Sequence, residues 1–136
     1  MILSLIARLR SAFRRKPVSL GRRGEDEAVK FLKRLRMRIV ARNHANRFGE
    51  IDIIARDGAQ LVFVEVRTRS SQDHGTPAET VNHRKQQKLT RAATAFLQRH
   101  PERTSSPRFD VVTIVWTAER RIENIEHIRH AFEAAD

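Results

Sequence analysis

The chain has 136 residues, no cysteine, and 27 lysines and arginines against 16 acids, for a formal net charge of +11. That length makes one domain with a real core; the lack of cysteine excludes a disulfide framework and a thiolate zinc site, and no apolar run approaches the roughly 18–20 residues of a membrane span. The charge points to a polyanionic partner, nucleic acid first and an anionic membrane second.

Taken in order, residues 1–16 differ from the rest of the chain. Ile2, Leu5, Ile6, Leu9 and Phe13 fall on one helical face, while Arg8, Arg10, Arg14, Arg15 and Lys16 supply positive charge and no acid appears. A signal peptide carries its charge before its apolar part, and here the order is reversed. An interfacial amphipathic helix, a nucleic-acid-binding arm and a helix packed on the body all stay open. Pro17 separates this basic arm, 1–17, from a single domain over 18–136.

The spacing predicts a helix over 20–36, with Glu25, Ala28, Leu32 and Leu35 in one stripe and Phe31 beside it. A strand over 37–42, a polar connection over 43–47 and a hairpin come next. The hairpin consists of apolar runs 51–55 and 61–66 around Asp57-Gly58. Turn formers fill 70–77. A second helix runs over about 82–99 on a stripe of Leu89, Ala92, Ala93 and Phe96, and 101–107 is a loop. A strand over 109–116, a turn at Glu119-Arg120 and a strand over 122–128 running into a short terminal helix complete the chain. This order, helix, three strands, helix, one or two strands, predicts an α/β fold with a mixed β-sheet flanked by helices.

Each apolar run of the hairpin contains an acid, Asp52 in the first and Glu65 in the second. Carboxylates are costly to bury without a partner, so their placement asks for a reason. With a two-residue turn at Asp57-Gly58, Asp52 faces Phe63 and Glu65 lies on the diagonal, roughly 7–8 Å away. With a four-residue loop over 57–60, Arg56 faces Leu61 and Asp52 stands directly across from Glu65. Either even loop puts both acids on one face with Arg67 beyond them; an odd loop separates them.

On one face, Asp52 and Glu65 would make a compact oxygen site for Mg²⁺ or Mn²⁺, which takes one or two protein carboxylates and completes its shell with water and phosphate. Pairing with Arg56, Arg67 or Arg69 is the competing explanation, and spacing alone leaves both open. Glu25, on the inward stripe of the first helix, is a third acid for the same site or a charge favoured by the helix dipole; Gly21 and Gly24 before it would let the backbone approach a phosphate. Lys85 falls on the inward stripe of the second helix. It could hold a water or neutralise charge there, or merely snorkel. The histidines are scattered and form no metal set. Asp110 beside Arg108 reads as a structural pair.

G-E-I-D over 49–52 followed after a hairpin by F-V-E-V-R over 63–67 resembles the PD-(D/E)xK nuclease core. Residues 20–132 more closely resemble the YraN family of predicted endonuclease-like proteins, similar to archaeal Holliday-junction resolvases. The words that carry this are G-R-R-G-E-D-E-A (21–28), R-N (42–43), G-E-I-D-I-I-A (49–55), F-V-E-V-R-T-R (63–69), the Gly75 loop, K-Q-Q-K-L (85–89), R-F-D-V-V (108–112) and I-x-H-I-x-x-A-F (125–132). The resemblance implies a restriction-endonuclease-like core, with Glu25, Asp52 and Glu65 as metal-site residues. One departure stands out: Arg67 occupies the place of the motif lysine. Arginine stays protonated and cannot act as a base, though it can grip a phosphate bidentately. Either Lys85 replaces that lysine, or the metal and its water suffice, or the protein binds without cutting.

The expectation is therefore a cytoplasmic, Mg²⁺- or Mn²⁺-dependent endonuclease-like protein acting on structured or branched DNA. Its catalytic residues would be Glu25, Asp52, Glu65, Arg67 and Lys85, with Asp52 and Glu65 holding the metal. Arg22, Arg23, Arg47, Arg69, Arg84 and Lys88 would lie at the nucleic-acid surface. The alternatives are a catalytically inactive nucleic-acid-binding module on the same fold and a membrane-associated adaptor using residues 1–16. Junction-resolving relatives work as dimers, so a homodimer is an option that the residues leave open.

Overall fold

The computed structural model describes residues 19–72, 81–101 and 106–135. The arm expected at 1–17 and most of the two loops expected at 70–77 and 101–107 lie outside the described residues. In order come α1 (Leu20–Arg34), β1 (Arg38–Asn46), β2 (Gly49–Asp57), β3 (Gln60–Ser70), α2 (His83–Arg99), β4 (Arg108–Trp116) and β5 (Ile122–Phe132). The strands form one sheet in sequence order. Neighbours run antiparallel except β3 and β4, which are parallel and connected through α2. This is the mixed sheet with flanking helices expected of a restriction-endonuclease-like core.

Both helices start on side-chain caps. Ser19 Oγ accepts from the Arg22 N–H at 3.2 Å, and Asn82 Oδ1 accepts from the Lys85 N–H at 2.9 Å, each satisfying an N–H that the first turn leaves open. α1 ends at Arg34 because Arg36 turns into the left-handed region, φ 65, and Met37 N–H closes back on the Leu32 carbonyl at 3.1 Å. Leu35 consequently leaves the stripe expected of it and is 49% exposed.

The core is two layers divided by the sheet. Ala28, Val29 and Leu32 of α1 pack on Ile53, Ala55, Val62, Val64, Val112 and Ile114. Leu89, Ala92, Ala93 and Phe96 of α2 pack on the opposite face with Ile54, Leu61, Phe63, Phe109 and Val111. Alternate residues of β2 and β3 serve opposite layers, which is why these strands are apolar on both sides. Gly24 sets how close α1 lies to the sheet: a Cβ there would stand 2.5 Å from Thr68 Cγ2 of β3.

Three expectations need correction. The stretch read as a polar connection over 43–47 is strand almost throughout, since β1 runs to Asn46 and turns only at Arg47 and Phe48. Its polar residues lie on an edge strand that has one face open to water. The β2–β3 turn is at Gly58-Ala59, not Asp57-Gly58: Asp57 pairs with Gln60 and Gly58 takes φ 61. Glycine first in a two-residue loop gives the hairpin turn that needs only one positive φ. Finally, β5 continues to Phe132 with no terminal helix. The ladder to β4 shifts between Phe109 and Val111, and His130 has φ 50. That bulge lets Ile128, Ala131 and Phe132 pack into one cluster, so a bent strand reproduces helical spacing.

Candidate functional site

The observed register is the one in which Arg56 faces Leu61. The last paired step is Ile53 with Val64, and one step further Asp52 comes opposite Glu65. There the strands part. Asp52 Oδ2 accepts the Val66 N–H at 2.8 Å, so a side chain takes over a main-chain hydrogen bond at the point of divergence. On the other side of β2, Arg42 pairs with Ile53 and His44 with Ile51, which sets Asn43 against Asp52. Asn43 has φ 50, a conformation asparagine tolerates better than most residues.

Glu65 is 7% exposed. Burial, then the charge of Asp52 and a hydrogen bond shared with it, push its carboxyl up from 4.5 to about 7, against the opposing pull of Lys85 and Arg67. Lys85 arrives from the first turn of α2, its Nζ 3.6 Å from Glu65 Oε1. Glu25 arrives from α1 on the other layer. Its carboxyl is also raised, by burial and then by Asp52, while Arg42 and a hydrogen bond from Asn43 act the other way. Arg42 itself is tied to Asp26 at 2.6 Å, pinning β1 to α1 beside Glu25. Glu25 Oε1 and Glu65 Oε2 are buried with no hydrogen-bond donor. Two buried carboxylate oxygens without donors, next to a third carboxylate, form an environment that a cation would relieve.

No three His, Asp or Glu side chains among the described residues stand ready-made around a metal position. Magnesium does not require that, since it is commonly bound through one or two carboxylates plus phosphate and water. The donor set, all oxygen, suits Mg²⁺ or Mn²⁺ rather than a soft ion.

The structure thus gathers Glu25, Asp52, Glu65 and Lys85, with Arg67 half-buried on β3 and its charge felt by Glu65. Arg69, two residues beyond, is half-buried and engaged in contacts of its own. Arg84 and Lys88 are exposed on α2, Arg22 is exposed on α1, and Arg47 is exposed at the β1–β2 turn, over the Phe48 ring at 4.7 Å. Arg23 has a structural engagement. Its guanidinium lies 4.8 Å over Trp116 and donates to the Arg120 carbonyl at 3.2 Å, tying α1 to the β4–β5 turn. The participants not foreseen are Asn43, the Val66 N–H and the Gly24–Thr68 contact. The R-N word at 42–43 was the one signal available for the first.

Asp110 is fully buried and structural, as its neighbour suggested. Arg108 grips it through Nε and Nη2, both at 2.9 Å; His127 Nε2 lies at 2.7 Å, and the His130 N–H donates at 3.0 Å. Burial pushes this carboxyl up, but the bonds from His127, Arg108 and His130 outweigh it and hold it at about 2. Arg108 also reaches Asp57 at 2.8 Å, locking β4 to the β2–β3 turn at the end of the sheet away from Glu65.

Fold and site together define a restriction-endonuclease-like α/β protein with a paired-carboxylate centre. The model of a family described as uncharacterised protein family UPF0102 matches residues 24–114. A UPF0102 protein of Geobacter metallireducens is 44% identical over 117 residues, covering 86% of this chain and 94% of its own. One from Geobacter sulfurreducens is 47% identical over 116 residues (85% and 90%), and one from Rhodococcus opacus 43% over 115 residues (85% and 97%). The chain belongs to the UPF0102 family, the YraN family that its sequence words resemble. The relatives' names state no activity.

Proposed function

We propose that the protein is a divalent-metal-dependent nuclease that hydrolyses phosphodiester bonds in structured or branched DNA. The observation that carries this is the pair Asp52 and Glu65 at the parting of β2 and β3. Burial and the charge of Asp52 raise Glu65 to about 7, and the buried Oε2 of Glu65 has no hydrogen-bond donor, with Lys85 and Arg67 as the opposing charges. Asp52 and Glu65 would hold Mg²⁺ or Mn²⁺, with Glu25 assisting. When bound, such an ion polarises a phosphodiester and lowers the pKa of a water.

The remaining steps belong to the chain's own groups. Lys85 Nζ, anchored on Glu65, takes the place of the motif lysine: an ammonium there orients a water and offsets charge gathering on the phosphate oxygens. Arg67 cannot accept a proton, but its fork suits two phosphate oxygens and fixes the scissile group against the carboxylates. Asn43 holds Glu25 in place through its hydrogen bond. The net charge of +11 supports a polyanionic substrate. Among the described residues no helix is long and apolar enough to cross a membrane, and a cytoplasmic setting, with DNA at hand, suits this reading.

Arg67 in the lysine position favours one other reading, a module that binds nucleic acid without cutting it. Labelled branched, single-stranded and duplex DNA and RNA, incubated with Mg²⁺, Mn²⁺ or EDTA, separate the two. We expect ion-dependent cleavage that falls about 10²-fold or more in Asp52→Asn, Glu65→Gln and Lys85→Ala. Undiminished binding by all four proteins with no cleavage under any ion would sink the enzyme and leave the binding module.

A further inference from the structure

Helix α2 carries no acid in its whole length, His83–Arg99, yet five lysines and arginines. Leu89, Ala92, Ala93 and Phe96 face the core. Positions 84, 88, 91, 95 and 98 succeed one another at steps of four and three, so they form a single ridge along one side of the helix. Arg84, Lys88 and Arg91 occupy this ridge, and Arg99 adjoins its far end; all four are exposed. None of them has an ion-pair partner among the described residues. A helix stabilised for its own sake would interleave acids at such spacings.

The ridge has two distinct ends. At its start lies Lys85, in contact with Glu65. At its far end the helix meets the β1–β2 turn, and two adjoining clefts open there. One, of about 370 Å³, includes Arg47, Phe48, Gln98 and Arg99; the other, of about 420 Å³, shares Arg47, Phe48 and Gln98 and adds Arg91. Among the described residues no acid lines either cleft. Arg47 is held over the Phe48 ring, which fixes its guanidinium at the cleft mouth instead of leaving it to range through solvent.

We propose that the nucleic-acid strand flanking the reacting phosphate runs along this ridge of α2, away from the carboxylates, and that its distal phosphates dock between Arg47 and Arg99 in the cleft at the β1–β2 turn. This rests on nucleic acid being the partner, whether cut or only bound. From Lys85 to Arg99 is fourteen residues, roughly 21 Å at the α-helical rise. For a duplex lying with its axis along α2, that distance matches about six phosphates of one strand. The substrate therefore needs a flank of about six nucleotides on one side of the centre.

The test is fluorescence anisotropy of labelled DNA with the full chain, R47Q/R99Q, and a control, K33Q/R34Q, which removes the same charge from the exposed last turn of α1. We expect R47Q/R99Q to bind about tenfold more weakly and to lower the slope of log affinity against log salt by about 1.4–1.8, at roughly 0.7–0.9 per lost phosphate contact. The control should change less than about threefold. Trimming one flank below about six nucleotides should weaken the wild type but leave R47Q/R99Q indifferent. Equal losses in both double variants, or a wild type blind to flank length, would overturn the path along α2 while leaving a nucleic-acid-binding protein. A wild type that binds anionic phosphatidylglycerol vesicles and no nucleic acid would overturn both.

Discussion

Asp52 has one observed duty and one proposed duty, and different substitutions separate them. Its Oδ2 is the acceptor for the Val66 N–H at the point where two strands part. Asp52→Ala leaves that part-buried donor unpaired, a loss of about 1 kcal/mol, whereas Asp52→Asn keeps an acceptor oxygen. Thermal melts should show the alanine variant destabilised and the asparagine variant near wild type, so only the latter isolates ion binding. Equal melting of the two would show that the hydrogen bond contributes nothing. Glu65 makes a pH prediction. Its folded-state carboxyl is raised from 4.5 to about 7, so in that window the folded chain holds a proton that the unfolded chain has released. The stabilisation is complete below about 4.5 and is lost as pH rises through about 7. In EDTA, unfolding free energy should fall across this range, and Glu65→Gln should flatten the fall. Mg²⁺ or Mn²⁺ at neutral pH should raise the wild-type melting temperature, through binding to the folded state alone, and leave Glu65→Gln unmoved. Asp110 runs the other way: held at about 2, it contributes stability above its ordinary 3.8 that is lost only in strong acid.

Among the elements, those legible in the sequence were the ones whose own residues dictate them. α1 and α2 combine an apolar stripe with a capping residue, Ser19 and Asn82, and β4 is dominated by β-branched and aromatic residues. The second half of β1 was hidden because Asn43, His44 and Asn46 look like a loop, and only pairing with β2 makes them strand. β5 was half hidden because its bulge moves hydrophobic residues to helical spacing. The paired acids were visible as charges out of place in apolar runs. Their partners across the sheet were not, since Asn43 and Val66 matter through a tertiary register that no local pattern encodes. The α1–β3 contact supplies a test at this scale. Gly24→Ala would improve helix propensity by about 1 kcal/mol, yet its Cβ overlaps Thr68 Cγ2 at 2.5 Å, and overpacking costs about 1–3 kcal/mol. The overlap should win, lowering stability and displacing Glu25. Thr68→Ser removes the methyl that Gly24→Ala strikes, so the double variant should recover most of the loss in a urea-denaturation cycle. Additive losses would show that the helix is not held off at this point.

In the whole molecule, charge and chemistry are kept apart along the sheet. The Arg108–Asp110–His127 network closes one end with every buried charge matched, while the Glu65 end leaves carboxylate oxygens unmatched. The first end fixes β4 and β5 to the hairpin; the second is where, on the proposed reading, a cation would meet the unmatched oxygens. Glu25 reaches this second end from the helix on one face of the sheet and Lys85 from the helix on the other, with the two strand acids between them. No contiguous stretch of the chain therefore contains the centre. During synthesis, α1 and the three-stranded meander emerge before α2, carrying three acids, and the lysine beside Glu65 arrives only with α2. β4, the parallel partner of β3, comes later still. On the proposed reading, the centre would act on a polyanion only after the last layer has docked, so the order of assembly would serve as a safety catch on a basic protein that binds nucleic acid.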